Sequence, residues 1–522
     1  MLGRTRSAVR ARLDATPLPT ELRAFIASLV ARTKLRRAEQ LDIAAELASH
    51  FSEGLASGKS AETLVASYGD ARQSAHDLRA GAIAKRHPLD RAAGVLVKWS
   101  ALGVTAAIAV YLASATAIYL REPVISFDAQ AALTARLPRP GPEGRALDLY
   151  IAALGDDEGR YRDKWLGDHL VTIEAALEQI DANPAVRDPA LEQTVRRSLQ
   201  ELEGVIDTLR TIRTRPVFGM ALGADALRDD AAVRFFGART LVSNGSPPAA
   251  NASQPAAFIL LPQQSVVRYA ARLLCHDARM AAIDGRTDDF MESVEAAIAC
   301  GSHAGEPAFL ISVLIEMGIY QKVNDTVKSA VEQSPGAFTE PQLARLEELV
   351  RGLPCDLVAG VEAEHLMIRD VIQRSFSDDG GGDGVLLPRS WGRVLADFQV
   401  QGTRPTTFAA LDFLAGPFAA TALPSRREVE EWAAKRIAAS IGAISATTSD
   451  EFEAHKRDLD AMQGDGQSQL FSVTAVMLPS VDRLIEKPQR MRGALNDTAD
   501  LIARERAKRA AESKADTIRS VI

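Results

Sequence analysis

The run Ala101–Leu120, reading ALGVTAAIAVYLASATAIYL, holds no charged residue and no proline. At a rise of 1.5 Å per residue, about 20 helical residues cover the roughly 30 Å hydrocarbon core of a bilayer. Trp99 and Tyr119 stand near its two ends, where amphipathic rings prefer the membrane–water interface. Lys98 is placed to snorkel, and Arg121-Glu122-Pro123 closes the run. A core helix of a soluble protein usually keeps a polar face. Tyrosines aside, this one has only Thr105, Ser114 and Thr116, whose hydroxyls can bond their own helix backbone. The run therefore predicts one transmembrane helix, over residues 95–120, rather than a buried soluble helix. A secretory signal carries its apolar core near the start, whereas about 95 residues come before this one. Ala113-Ser114-Ala115 has the small-residue look of a cleavage site, a triplet that an alanine-rich helix produces by chance.

The span also divides the charge. The chain of 522 residues has 61 Lys+Arg and 68 Asp+Glu, a net of -7. Residues 1–98 contain 16 basic and 10 acidic residues, a net of +6, which leaves -13 for the remainder. Lys85, Arg86, Arg91 and Lys98 precede the span with Asp90 as the one acid among them, whereas Arg121 is followed by Glu122 and Asp128. The positive-inside rule then predicts a cytoplasmic N-terminus, about 400 residues outside, and residence in the inner (cytoplasmic) membrane of a bacterium. The lipid bilayer is the first partner this implies. Gly103, Ala107, Ala109, Ala113 and Ala117 give small-xxx-small spacings that admit a homodimer through the span, although any alanine-rich helix supplies them.

The expected fold class is all-α. Only 5% of residues are aromatic, which argues against a strand-rich sandwich or barrel. Three cysteines exclude a disulfide scaffold, and 47% hydrophobic residues exclude a wholly disordered chain. The predicted organisation is a small cytoplasmic helical domain (1–92), the span, a linker (123–142), a large extracytoplasmic helical domain (143–478) and a C-terminal helix (479–522).

Residues 18–82 read as short helices with explicit punctuation. Leu22, Phe25, Ile26, Leu29 and Val30 form one apolar stripe; Leu41, Ile43, Ala44, Leu47 and Phe51 form a second, within about Ala38–Leu55. Gly58 stops that helix, Ser60 is placed as the N-cap of the next, and Tyr68-Gly69-Asp70 separates it from a fourth over Ala71–Leu78. The run Glu46-Leu-Ala-Ser-His50-Phe-Ser-Glu53, then Gly58-Lys-Ser60-Ala-Glu62, then Tyr68-Gly69-Asp70-Ala71 and Ala75 resembles the HAAS-type alpha-helical signalling domain over about 60 residues. It departs from that pattern at Tyr68, where Leu is usual, and in a more basic linker at Thr33–Arg37. The resemblance implies a cytoplasmic protein-interaction module prefixed to a membrane protein, with a winged-helix regulator of the PadR type as a partner, and not an enzyme. Glu46 and His50, at i and i+4, suit metal binding or acid–base work in principle. With no second ligand pair nearby, they read as a helix-surface pair.

In the outer segment, Pro138, Pro140 and Pro142 stiffen the linker. Helices are expected over Ala146–Leu154, Tyr161–Ile180 ending at Asn183-Pro184, and Asp188–Arg213. Residues 214–262 look irregular, with a polar, proline-bearing loop at Ser243–Pro255. A helical hairpin follows over 264–283 and 288–301, turning at Asp284-Gly285-Arg286. A long helix starts at Glu306-Pro307 and runs to about Val331; others cover Pro341–Leu353, Val358–Ser375, 425–447 with a capping box at Ser425-Arg-Arg-Glu428, and Val481–Val521 beyond Leu478-Pro479. The last is expected as a solvated helix or packing arm, and the long helices suggest coiled-coil character. The span places it outside the compartment that holds DNA, so no nucleic acid is expected as a partner. From Arg268 to about Glu364, Arg272-Leu-Leu, Asp284-Gly285-Arg-Thr-Asp288, Glu306-Pro307 and Glu364 are similar to a helical extracytoplasmic region of planctomycete membrane proteins, a likeness that implies no activity. No second copy follows the hairpin at a 34-residue step, so a tetratricopeptide-like solenoid is disfavoured.

Candidate chemistry is sparse. Glu362 and His365 have the Glu-x-x-His spacing of carboxylate-bridged di-iron bundles, beside Glu364. That chemistry needs a second such motif and two more inward glutamates, and no second motif exists; Glu451, Glu453 and His455 sit at the wrong offset. Asp378, Asp379 and Asp383 lack EF-hand spacing, so the loop 376–387 reads as a connector. Cys275 and Cys300 lie on the two arms of the hairpin, one turn out of register for a disulfide, with Cys355 left over and His276 beside Cys275 on an apolar helix. No Gly-x-Ser-x-Gly, phosphate loop, dinucleotide fingerprint or His-Glu-x-x-His occurs. The expectation is a non-catalytic interaction, sensing or scaffold protein with no metal and no cofactor. The alternative is an enzyme or cofactor binder with its site in the outer domain.

Overall fold

The computed structural model describes residues 2–182, 188–241, 255–334, 336–391, 408–446, 448–464 and 484–521. The expected helix end at Asn183-Pro184, most of the Ser243–Pro255 loop and the break at Leu478-Pro479 lie outside the described residues. Among those residues the fold is all-helical, with no strand beyond two isolated bridges, Gly155 with Tyr161 and Phe376 with Leu386. Two compact units divide within one helix, as Met1–Ala113 and Ser114–Ile522.

The first unit is built from α1 (Leu2–Asp14), α2 (Thr20–Thr33), α3 (Arg37–Ala56), α4 (Ala61–Ser67) and α5 (Ala71–Lys85). The helix α1 was not anticipated: its sequence, LGRTRSAVRARLD, is too basic to show a stripe, yet Val9 and Leu13 are buried. The expected stripes meet in one core of Leu22, Ile26, Leu29, Val30, Leu47 and Phe51 with Leu64 and Ala75. Local signals set the ends. Gly58 takes φ 85°, a left-handed value suited to glycine. Ser60 Oγ accepts from the Thr63 N–H at 3.2 Å, and Asp70 caps α5 through the Arg72 N–H at 3.1 Å. A Cβ at Gly54 would stand 2.5 Å from Leu64, so α3 and α4 approach through a glycine. Arg86, just past α5, grips Glu39 in the first turn of α3 with two bonds of 2.7 and 2.9 Å. That guanidinium holds the Glu39 carboxyl below its usual range. Replacing Arg86 with Ala is expected to cost about 1 kcal/mol, read as a lower urea midpoint at neutral pH, an effect that shrinks as the pH falls through the lowered Glu39 carboxyl.

α6 (Pro88–Tyr119) is a single helix of 32 residues, and its part Leu96–Tyr119 is long and apolar enough to cross a membrane. Almost none of that surface is buried, with Leu96, Trp99 and Val110 each about two-thirds exposed.

The second unit has a main core running from Ala146 to Ile502 and a smaller separate cluster of Ala129, Leu133, Leu222, Ala256, Ile259, Phe309 and Ala363. Its helices are α7 (Ala129–Thr134), α8 (Ala146–Leu154), α9 (Asp163–Ala182), α10 (Pro189–Glu201), α11 (Glu203–Arg210), α12 (Asp230–Phe236), α13 (Ala238–Leu241), α14 (Gln263–Ile283), α15 (Thr287–Ala304), α16 (Leu310–Gln333), α17 (Glu340–Arg351), α18 (Val358–Ser375), α19 (Phe408–Ala422), α20 (Arg426–Ser445), α21 (Ser449–Gly464) and α22 (Lys487–Val521). The expected hairpin is α14–α15, turning at Gly285 with φ 74°. α16 crosses α15 at Gly301, where a Cβ would lie 2.2 Å from the buried ring of Tyr320. The capping box at Ser425 forms, with Glu428 accepting from the Ser425 N–H at 2.8 Å and donating its own N–H to Ser425 Oγ at 3.4 Å.

Several expectations are corrected. The single helix from Asp188 to Arg213 is broken at Leu202, which takes φ -104° and ψ 6° and is fully buried; Gly204, a poor helix former, follows at once. The long apolar helix starts at Leu310, because Phe309 is extended at ψ 154°. The 123–142 linker is not all loop: Asp128 accepts from the Ala131 N–H at 2.9 Å and starts α7, whose Ala129 and Leu133 are buried. α22 is a packing arm over its first half, where Met491, Leu495, Ala499 and Ile502 enter the core, while Arg506 pairs with Glu340 and Glu347 of α17.

Candidate functional site

The chain leaving α6 is held by α18. Gln373 is buried, and its amide uses both donors and both acceptor positions. Its Oε1 accepts from the Ser126 N–H (3.2 Å) and the Phe127 N–H (3.0 Å). Its Nε2 donates to Phe127 O (2.6 Å) and to Asp370 Oδ1 (2.8 Å). The side chain thus pairs with the Phe127 backbone as a strand would. Asp370, 1% exposed, fixes that amide while accepting from the Arg374 Nε at 3.0 Å and from the Ala256 N–H at 2.8 Å. One turn earlier, the Arg369 guanidinium stacks on the Phe127 ring at 4.6 Å. Helical spacing explains the clasp: Arg369, Asp370 and Gln373 share one side of α18 at i, i+1 and i+4. Charge-assisted and amide bonds with no free valence fix the backbone at Ser126 and Phe127 to α18.

Glu362, Glu364 and His365 lie on the same helix but do not converge. Glu362 is exposed and pairs with Arg136 at 3.2 Å. Glu364 turns to the start of α16, where the Leu310 N–H is its donor, and burial pushes its carboxyl up to about 7. His365 is half-buried, and burial holds its imidazole below the usual range. Among the described residues no three His, Cys, Asp or Glu stand where they could hold a metal ion. Asp378, Asp379 and Asp383 are engaged elsewhere: Asp379 Oδ1 takes the Gly381 N–H at 2.8 Å, Asp383 Oδ1 takes the Arg427 N–H at 3.1 Å at the start of α20, and Asp378 pairs with the buried Arg426 at 3.2 Å.

Two further acids share the environment of Glu364. Glu306 accepts from the Phe218 and Gly219 N–H groups at 3.0 and 3.4 Å, and burial pushes it up to about 7. Glu316 accepts from the Tyr320 hydroxyl at 2.9 Å and is also raised to about 7, by burial and then by the charge of Glu306. Nothing in the spacing of these three glutamates marks them in the sequence; only packing does.

A buried triad, Tyr150, Cys300 and His303, also went unnoticed in the sequence, because its members come from α8 and α15. His303 Nε2 lies 2.6 Å from Arg215 O, so Nε2 carries the proton and Nδ1 accepts from the Tyr150 hydroxyl at 3.1 Å. Cys300 Sγ is 3.3 Å from the same hydroxyl. Burial pushes the Cys300 thiol up to about 12 and His303 down to about 4. A thiol held protonated is a poor nucleophile. Cys275 and Cys355 are likewise free and buried, with Cys275 raised by burial to about 11. His276 bonds Glu174 at 3.2 Å, beside Arg272.

In the first unit, His50 is exposed and lies edge-on to Phe51 and Tyr68, both at 6.2 Å, as part of an aromatic group with Phe25. A groove of about 660 Å³ runs between α1 and α2, lined by Val9, Leu13, Ala24, Ala27, Ser28 and Ala31 together with Arg10, Arg23, Arg32 and Lys34. Small residues leave the room, and Arg10, Arg32 and Lys34 outweigh Asp14, which pairs with Arg23 at 3.2 Å.

No curated protein and no solved structure matches the chain. A family model described as HAAS matches residues 24–76, the segment spanning α2 to α5 with its two capped turns. The N-terminal unit of this chain therefore carries a HAAS domain.

Proposed function

We propose that the chain is a single-pass inner-membrane protein of non-catalytic, interaction or sensing function. Its HAAS domain faces the cytoplasm and its helical body lies on the other side. The observation that carries this reading is Leu96–Tyr119, an apolar helix whose surface is almost wholly uncovered, directly behind the HAAS domain. Exposing so many large apolar side chains to water is unfavourable at about 25 cal/mol per Å², and a bilayer removes that cost. The basic flank Lys85–Lys98 orients the helix. The raised, buried thiols and the dispersed Glu362 and His365 support the non-catalytic part of the reading. The clasp at Gln373 fixes the chain at Ser126 and Phe127, a few residues beyond the span, to the helical body.

The partner surface is the α1–α2 groove, which has room for one helix of a cytoplasmic protein and favours an acidic one. A winged-helix regulator of the PadR type is the partner that a HAAS domain suggests. Alkaline carbonate is expected to leave the full chain in the membrane pellet; its release without detergent would defeat the membrane claim. A membrane-impermeant thiol reagent is expected to label Glu348→Cys in intact cells and Glu62→Cys only after permeabilisation. The opposite pattern would reverse the topology. Ala24→Trp, which fills the groove at an exposed position, is expected to lower co-purification of the regulator at least fivefold while leaving the helical content of the chain unchanged.

A further inference from the structure

The span is not the only apolar surface near Tyr119. In α19 the ten residues Phe413–Ala422 carry no charge. Two faces of this helix differ. Phe413 and Gly416 turn inward: the Phe413 ring meets Tyr119 edge-on at 5.7 Å, and a Cβ at Gly416 would stand 3.2 Å from Ile118. Leu414 and Phe418, at i and i+4 on another face, are 48% and 67% exposed. Just beyond the span, Leu120, Val124 and Ile125 are exposed as well. Ten helical residues reach about 15 Å, half the distance across a bilayer core, so α19 cannot cross it. A core helix would not present Phe418. Arg389, exposed, stacks on the Tyr119 ring at 5.1 Å, which sets a cation where a headgroup phosphate lies if Tyr119 marks the interface.

We propose that α19 is a second membrane-contacting element, lying in the interface at the Tyr119 end of the span with Leu414 and Phe418 in lipid. The occupant is lipid because this face continues from the end of the span itself: the helix that would be in the bilayer touches α19 directly through Tyr119 and Ile118. A second copy of the chain or another protein would have to sit where the acyl chains around Leu120 already do. The membrane contact then extends from one helix to a helix pair, with the helical Arg389 set beside it on the Tyr119 ring. This rests on the reading of Leu96–Tyr119 as a membrane span.

The test uses the full chain in phosphatidylcholine–phosphatidylglycerol vesicles, with a nitroxide label at Phe418→Cys and references at Val110→Cys, on the exposed span, and Glu348→Cys, on an exposed polar site. The three native cysteines are buried. Collision rates with oxygen, which prefers lipid, are compared with those of a nickel chelate, which prefers water. The expected oxygen-to-nickel ratio at Phe418 is several-fold above that at Glu348 and below that at Val110. A ratio at Phe418 equal to that at Glu348, with Val110 in lipid, overturns the inference and leaves the span standing. A water-like ratio at Val110 overturns the span and the inference together. Shielding of Phe418 from both reagents assigns the face to protein contact and also overturns the inference.

Discussion

Replacing Asp370 with alanine is expected to destabilise the helical body by about 3–5 kcal/mol, the usual range when one partner of a buried ion pair is removed. Asp370 is 1% exposed and serves three donors: Arg374 Nε, Gln373 Nε2 and the Ala256 N–H. The alanine variant strands all of them. The substitution Asp370→Asn keeps an acceptor oxygen and loses the charge opposite Arg374, so a smaller loss, about 1–3 kcal/mol, is expected. A urea midpoint for each variant separates the two. The functional consequence is local. Gln373 loses the group that orients its amide, which loosens the Oε1 that accepts from the Ser126 and Phe127 N–H groups. Hydrogen exchange at those two amides is expected to speed up at least tenfold in Gln373→Ala, with a far smaller change in α14 and α15. Unchanged exchange at Ser126 and Phe127 would show that the clasp does not hold the juxtamembrane chain.

The contrast between the clasp and the span explains what the sequence discloses. Ala101–Leu120 is legible because a bilayer imposes a length and a composition on consecutive residues. The HAAS turns are legible because capping and left-handed glycines act within three or four residues, as at Ser60 with Thr63 and at Gly58. The α14–α15 hairpin follows for the same reason. Asp370 and Gln373 show no such signal: their partners, Ala256 and Phe127, lie more than 100 residues away. Glu362-x-x-His365 shows the converse error of local reading. The spacing is right for two ligands on one helix, yet Glu362 reaches Arg136 while His365 turns elsewhere. The break at Leu202 escaped because an apolar stripe continues across it: the buried Leu199, Leu202 and Ile206 keep a helical spacing even where the backbone does not.

Raising the pH from 6 to 8 is expected to lower the stability of the helical body by about 3 kcal/mol. Glu306, Glu316 and Glu364 each sit near 7 in the folded chain, against roughly 4.3 for an unfolded glutamate. The folded state therefore binds these protons more tightly. Their stabilising contribution is complete below about pH 4 and is lost as the pH climbs from there through 7. Two histidines act in the opposite sense. His303 is held near 4 by burial, and His276 is lowered by burial, so both favour folding above about 6.5 and cost stability as the pH falls below it. Near pH 5 the histidines partly offset the carboxylates and the curve is less steep. Between 6 and 8 the unfolded imidazoles lose their remaining protons, which returns about 1 kcal/mol for His303, and the three carboxylates, which lose more, set the sign of the slope. Glu174, drawn down to about 2 by His276 and then by Arg272, stays ionised throughout and adds nothing to it. The double variant Glu316→Gln, Glu364→Gln keeps acceptor oxygens for the Tyr320 hydroxyl and the Leu310 N–H while removing two of the three titrations. It is expected to gain about 3 kcal/mol more at pH 8 than at pH 6. Thermal midpoints of the full chain in detergent between pH 5.5 and 8 provide the measurement, and a double variant whose midpoint still falls as steeply as the parent's would show that these glutamates are not the source of the slope.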